Sequence, residues 1–438
     1  MASRFSSKAA RYLTCLALGM AAASTSHAAG FQLKEQGADM QGTSFAGATA
    51  KGDNLSTLFF NPAGMSRFKG NHGGINLSLI RPEAELSISN ISSSLGGGTN
   101  FPAVTDSNGG DAGTLGKVPT IYGVMDVNDK VNVGIAITVP FGLSTQYDPN
   151  WAGRYYAQTS EVETINIAPT LSYKVSDKLA LGAGVQVQHT KARLTNAVNI
   201  DAVIGGGAPD ADSELKGDDT SWGFNVGALY DFNDDTRFGI SYRSRVHHEL
   251  EGDINLTGVP LALAGVPTLQ DADAKAKLVT PDSLSIGLFH QMNEKLAVMA
   301  DASWTNWSLF KDLIVQNKSN NLVRQHVEEK WNDTYFFSLG AEYKYDPKTT
   351  LQAGIAYDKG AVDDDYRTFR IPDTDRYWLS VGYQRDLSDK TQFTAGFSHI
   401  IAQDATVTED ANTLRNGSIS GTFHSSVNIL SLGLRHKF

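Results

Sequence analysis

"VNDKVNVGIAITV", residues 127–139, joins a polar turn to a run in which every second residue is large and apolar. Val131, Val133, Ile135, Ile137 and Val139 fall on one face of an extended chain, and Asn132, Gly134, Ala136 and Thr138 on the other. Successive side chains of a strand point to opposite sides, so this is a strand with two unlike faces. The turn returns as VSDK (175–178), FNDD (232–235), MNEK (292–295), YDPK (345–348) and LSDK (387–390). Asn, Asp, Ser and Pro start tight turns through side-chain-to-backbone hydrogen bonds or a fixed φ, and a charged tip stays in water. The copies are unevenly spaced, roughly 40 to 60 residues apart, which excludes a solenoid of fixed period.

Reading outward from each turn gives further two-faced runs: Leu179/Leu181/Ala183/Val185/Val187, Tyr335/Phe337/Leu339/Ala341/Tyr343, Tyr377/Leu379/Val381/Tyr383 and Phe393/Ala395/Phe397. Strands are expected near 74–90, 118–127, 131–146, 162–175, 179–196, 220–231 and 236–252. Seven more follow near 278–291, 295–316, 333–345, 349–358, 376–386, 390–408 and 423–438. The second faces carry Gly, Ser, Asn and Gln, as a lumen lining does, whereas a soluble sandwich must bury its greasy face against a second sheet. Short turns alternate with long loops rich in Gly, Asp and Asn, and the strand number is even. That is the pattern of a transmembrane antiparallel 14-stranded β-barrel, an all-β fold. Tyr173, Tyr230, Phe289, Tyr345 and Tyr383 precede the turns and read as an aromatic girdle at the lipid boundary. The last strand alternates and ends on Phe438, resembling the signal read by barrel-assembly machinery.

Arg4, Lys8 and Arg11, an apolar stretch and the small residues of "SHA" (26–28) read as a cleaved export signal over residues 1–28. Its removal takes three basic residues and no acidic one, so the formal charge moves from −10 to −13, a poor match for nucleic acid. Cys15, the only cysteine, falls in that segment, which leaves no thiol-based metal site in the mature chain. No motif calls for a cofactor or a metal: "DADAKAK" (271–277) and "AVDDDYR" (361–367) lack the spaced oxygen ligands of a Ca²⁺ loop. The expected location is the outer membrane of a Gram-negative cell, as a monomer against lipid and lipopolysaccharide.

Residues 29–73 fit no strand, and Phe31, Phe45, Leu58, Phe59 and Phe60 are costly to leave in water. A small, partly helical plug inside the barrel (74–438) is expected, with helices near 41–50 and 54–60. Here the chain resembles the FadL/TodX family, on "AGFQL" (29–33), "FNPAG" (60–64), "PFGL" (140–143), "WAGRYYA" (151–157) and "DRYWLSVGY" (375–383). The resemblance implies an outer-membrane channel for long-chain fatty acids or aromatic hydrocarbons, blocked by a hatch that includes Phe31 and Asn61–Pro62–Ala63–Gly64.

Exposed apolar loops mark ligand or membrane contact. Val203 and Ile204 in one long loop, and Leu261, Leu263 and Val266 in another, are candidates for ligand capture. A fatty acid brings a carboxylate, for which Arg154, Lys191, Arg193 and Arg376 are candidates. Pro140, followed by Phe141 and Gly142, interrupts the third strand. Proline has no N–H for a ladder, so a bulge or kink is expected there, and in the family such a kink opens sideways into the bilayer. The expected function is passive uptake of hydrophobic compounds, long-chain fatty acids first and aromatic hydrocarbons second. A porin or an outer-membrane phospholipase is the weaker alternative. Adjacent His247 and His248 point to opposite faces and cannot share one catalytic site.

Overall fold

The structure, a computed structural model, describes residues 30–92, 107–410 and 418–438; the export signal expected over residues 1–28, with Cys15, lies outside them. Fourteen antiparallel strands pair in chain order. They are β1 His72–Ser92, β2 Gly116–Asn128, β3 Val131–Thr138 with Gly142–Gln146, β4 Thr159–Lys174, β5 Leu179–Val198, β6 Ala211–Asp231 and β7 Thr236–Arg243 with Val246–Thr257. The rest are β8 Ala272–Thr280 with Ser283–Gln291, β9 Leu296–Thr305 with Asp312–Asn317, β10 Val323–Glu328 with Thr334–Asp346, β11 Thr349–Asp358, β12 Arg376–Asp386, β13 Thr391–Ala402 with Ala405–Glu409, and β14 Ser418–Lys437. β1 pairs with β14 from His72↔Lys437 to Ser92↔Ser418, which closes the ring.

The six turns form as their residues dictate. Asn128 Oδ1 accepts from the N–H groups of Lys130 and Val131 at 3.0 and 3.1 Å, and Asn233 and Asn293 do the same in their turns. Ser176 and Ser388 use their hydroxyls in the same way, and Asp346 its carboxylate. β6 and β10 reach further than expected, starting at Ala211 and Val323. "ADSELKGDD" and "VRQHVE" have no greasy face because those ends stand beyond the hydrocarbon, where backbone pairing alone holds the strand.

Ile135, Leu171, Val185, Phe337, Leu339 and Leu379 project outward and exposed. Tyr173, Tyr230 and Tyr345 are exposed as a girdle requires, but Phe289 points inward, 7% exposed, among Ala46, Ala50 and Met299. Gly287 and Phe289 share its inward face, and the Arg237 guanidinium stacks 4.6 Å over its ring.

The N-terminal segment, Gly30 to Lys69, packs against the inner faces of the strands. Its helices are shorter than expected: Ala38–Gln41, Thr57–Phe60 and a 3₁₀ turn over Pro62–Arg67. Between residues 42 and 50 the chain turns instead, because Ser44 and Phe45 adopt φ of 51° and 61°. Those turns press backbone onto glycines of the wall: a Cβ on Gly239 would lie 2.0 Å from Thr49 O, and one on Gly354 2.1 Å from Thr43 C. Asn61 fixes the next bend by accepting from Ala63 N (3.1 Å) while donating to Thr49 O (2.7 Å) and Ala228 O (3.0 Å). Gly354→Val should therefore unseat the segment at about 1–3 kcal/mol of overpacking without opening the barrel. The expected result is a heat-modifiable band of normal mobility on a gel, with the N-terminal segment newly cut by protease.

Candidate functional site

The β2–β3 ladder runs from Asn128↔Val131 to Ile121↔Ile137 and then stops. Beyond it, Gly116–Thr120 pair only with β1 and Gly142–Gln146 only with β4, apart from one bridge, Gly113↔Thr145. Proline stands on both sides of the gap, Pro140 on β3 and Pro119 on β2 opposite Val139, and neither has an N–H to give. The third strand is interrupted between Thr138 and Gly142, around Pro140, and Pro119 is a second proline that sequence reading overlooked.

Backbone groups freed at such a gap need partners. Most come from the N-terminal segment. Gln36 Nε2 donates to Val139 O (2.7 Å) and Gln36 Oε1 accepts from Val139 N (3.2 Å). Leu33 N donates to Pro140 O and Gly142 N to Phe31 O, both at 2.8 Å. Phe141 N donates to Thr164 Oγ1 on β4 (2.9 Å).

That docking delivers Phe31 into a cage of rings. Its centroid lies 4.7 Å from Trp307, 5.8 Å from Trp331, 6.0 Å from Phe141 and 6.2 Å from Phe310, all edge-on. Leu143, Val162, Leu250, Leu278 and Ile371 extend the apolar wall. Trp307 and Phe310 reach the cage because β9 breaks between Thr305 and Asp312, a break invisible to a reading that ran one strand over 295–316. Gly30 N is held by Asp373 Oδ2 at 3.1 Å. Trp307 Nε1 is buried without a hydrogen-bond partner. Glu329 accepts from Trp331 Nε1 at 2.9 Å, and burial pushes its carboxyl up to about 7, against that hydrogen bond; Glu409 raises it further and Arg370 opposes.

The two apolar loops lock onto each other: Ile200 and Ala211 pack with Leu263 and Leu269, with Val266 partly buried against them. Val203, Ile204 and Leu261 stay exposed, Leu261 at 91%. Beneath the loops lies a groove of about 230 Å³, lined among others by Tyr155, Val198, Leu256, Leu269 and Arg324. The four cations proposed for a carboxylate fare differently. Lys191 and Arg193 flank inward-packed Ala192 and so face outward, Arg193 held by Glu214 at 2.8 Å. Arg154 pairs with Asp210 at 2.8 Å, and Arg376 is inside but bound to Asp358 at 2.9 Å. Arg324, which sequence reading placed in a loop and passed over, lines the groove with its guanidinium on Asn317 Oδ1 and the carbonyls of Thr268 and Gln270. A larger depression of about 790 Å³ opens on the lipid side, over Ile286, Leu288, Phe337 and Leu339, remote from all of this.

Residues 19–438 match the family described as outer membrane protein transport protein (OMPP1/FadL/TodX). The chain belongs to that family. It is 28% identical to the long-chain fatty acid transport protein of Escherichia coli O6:H1, over 90% of this chain and 92% of that one. It is 29% identical to a 47 kDa outer membrane protein of Pasteurella multocida, over 99% of each. A FadL homologue from Pseudomonas aeruginosa superposes with a TM-score of 0.86 at 27% identity, over 94% of this chain and all of that one. The toluene transporter TodX of Pseudomonas putida shares the fold, with a TM-score of 0.69 at 19% identity over 94% of this chain and 98% of that one. This family member is an outer-membrane transport protein for hydrophobic compounds, not an enzyme.

The Glu329 carboxyl is neutral below its raised pKa and an anion above it, while an alkanoate stays ionised throughout. Decanoate bound in the neighbouring cage should therefore weaken about fivefold as pH rises through 7, given one added charge at intermediate dielectric. Tryptophan fluorescence should report that loss in the wild type, a level affinity in Glu329→Gln, and no pH effect for toluene in either.

Proposed function

We propose that this channel takes up long-chain fatty acids passively, holds them in the aromatic cage and releases them sideways between β2 and β3. The observation that carries this reading is the adjacency of cage and gap: Phe141 lines the cage, and Val139, two residues back, borders the missing ladder. Val118, Val139 and Leu33 make the inner border apolar. The lumen below the cage is polar instead, with Thr190, Gln188, His248 and Thr280 joined by hydrogen bonds of 3.1–3.2 Å. An apolar tail would strip those groups of partners, whereas lipid returns about 0.8 kcal/mol per CH₂.

In this reading residues 29–73 are the hatch, Val203, Ile204, Leu261, Leu263 and Val266 receive the ligand from outside, and the ligand displaces Phe31 from the cage. Competition for one apolar site then shifts the segment that also pairs with the kink. The orphaned Trp307 Nε1 and the groove residue Arg324 favour a ligand with an acidic head. The second reading, aromatic hydrocarbons, draws on the two tryptophans and two phenylalanines of the cage. Oleate uptake restored in a deletion strain and unaffected by excess toluene supports the first; toluene uptake blocked by neither oleate nor decanoate supports the second. Indifference to both compounds ends the proposal.

The exit is tested by closing it. Gly142→Trp, or a disulfide between Thr120→Cys and Thr138→Cys just past the last ladder pair, should cut oleate uptake at least about tenfold while binding from outside persists. The disulfide case should recover with reductant. Phe31→Glu, which buries a carboxylate among rings, should disturb uptake with the barrel intact. Wild-type transport by the closed variants would send the ligand straight down the lumen.

A further inference from the structure

Arg243 ends the first segment of β7 and faces the lumen, 9% exposed. Its guanidinium donates to Gln186 Oε1 and, at 2.7 Å, to Phe59 O in the N-terminal segment, and it lies 4.0 Å over the Phe59 ring. All of these partners are uncharged. Several other cations at comparable depth are held by carboxylates: Lys51 by Glu342 at 2.6 Å, Arg237 by Asp231 at 3.0 Å, Arg376 by Asp358 at 2.9 Å, and Arg367 by Asp364. Among the described residues no ion pair within 4.0 Å involves Arg243. Burial of an uncompensated charge is costly. Anchoring Phe59 O does not explain it, since one neutral N–H does that work and a guanidinium carries five.

A second observation points the same way. Asn225 on β6 sits directly across from Arg243 on the same inward face, 1% exposed, and neither atom of its amide has a partner. It occupies the space left by Gly184 on β5, where a Cβ would fall 2.4 Å from Asn225 Oδ1. A buried amide with no partner calls for a group to complete it. Arg243 and Asn225 together offer unspent N–H donors and a positive charge, the complement of a carboxylate.

We infer that Arg243 and Asn225 form an interior carboxylate site, between the aromatic cage and the short-turn end of the barrel, that receives the head of a fatty acid. The inference rests on the fatty-acid reading above. The site is separate from the cage: Leu250, in the cage wall, lies seven residues along the same strand, roughly 20 Å at strand rise. Between the two lies the polar layer of Gln188, Thr190 and His248. Below this layer the positive charge of Arg243 complements an acidic head, where an uncharged head finds no counterpart.

Two readouts separate the sites in purified protein. Tryptophan fluorescence reports the cage, through Trp307 and Trp331, and titration calorimetry counts every site. Decanoate should fill two sites and decanol, with the same chain, only one. Arg243→Gln should weaken the second decanoate site at least about tenfold, with the fluorescence titration unchanged. Asn225→Leu breaks no hydrogen bond of the free protein, so it should fold normally and also weaken the second site. Two sites for decanol, one site for decanoate, or two undiminished sites in both variants would overturn the inference. Unresponsive tryptophans would instead refute the fatty-acid reading of the cage, while a second decanoate site lost in Arg243→Gln would still stand.

Discussion

Every backbone N–H and C=O at lipid depth must find a partner within the protein, and this structure is organised by that requirement. The closed ring satisfies it almost everywhere, each strand pairing with its chain neighbours and β1 with β14. Where two prolines interrupt the ring between β2 and β3, the requirement persists and the N-terminal segment meets much of it. Gln36 brackets Val139 from both sides of its amide, and Leu33 and Phe31 take the polar groups of Pro140 and Gly142. The wall is therefore complete only while that segment is in place. Moving Phe31 also removes partners from the kink, because Phe31 O is one of them.

The same constraint explains the glycines of the inner wall. A segment that supplies hydrogen bonds to strands must approach them closely, and side chains would hold it off. Gly182 accommodates Ala63 and Gly239 accommodates Thr49, each with no room for a Cβ. Charged pairs then pin the segment near the short-turn end, where Lys51 meets Glu342 and Arg67 meets Asp231. The Lys51–Glu342 pair is the deep one; such a pair adds little net stability but is costly to break from one side, so it fixes position more than it adds strength.

The fold was legible because its rules are local. Alternation and turn chemistry repeat along the chain, and the six turns formed with the side-chain acceptors their residues announced. The site was legible only in part. Pro140 and Phe31 carry local signals, a proline in a strand and a greasy residue near a new terminus. Trp307, Phe310, Trp331 and Ile371 come from breaks and loops of β9 to β12 and converge only after closure. Phe289 misled because an aromatic before a turn has two faces to choose from, and its register put it inward. Lys191 and Arg193 misled in the opposite sense: their alternation with Ala192 was readable, but which face was the lumen this far above the membrane was not. Glu329 and Arg324 had no signal at all, since their burial and partners are products of packing between distant loops.

Path selection inside the barrel follows from where polar groups stand. The cage is apolar on its sides and at the gap, and polar directly below, so its two exits differ in what they ask of a ligand. Downward, a methylene chain must displace the hydrogen bonds joining Gln188, Thr190, His248 and Thr280, each buried and each left costly if orphaned. On the proposed sideways route it would meet Val118, Val139 and Leu33 and then lipid, losing nothing polar except the contacts that a displaced segment gives up. For a chain of many methylenes the difference grows with length, at about 0.8 kcal/mol per CH₂. On the proposed lateral path a long tail would therefore gain more than a short one, and a single aromatic ring least of all. On the proposed route, discrimination by tail length falls at the exit, not at the mouth.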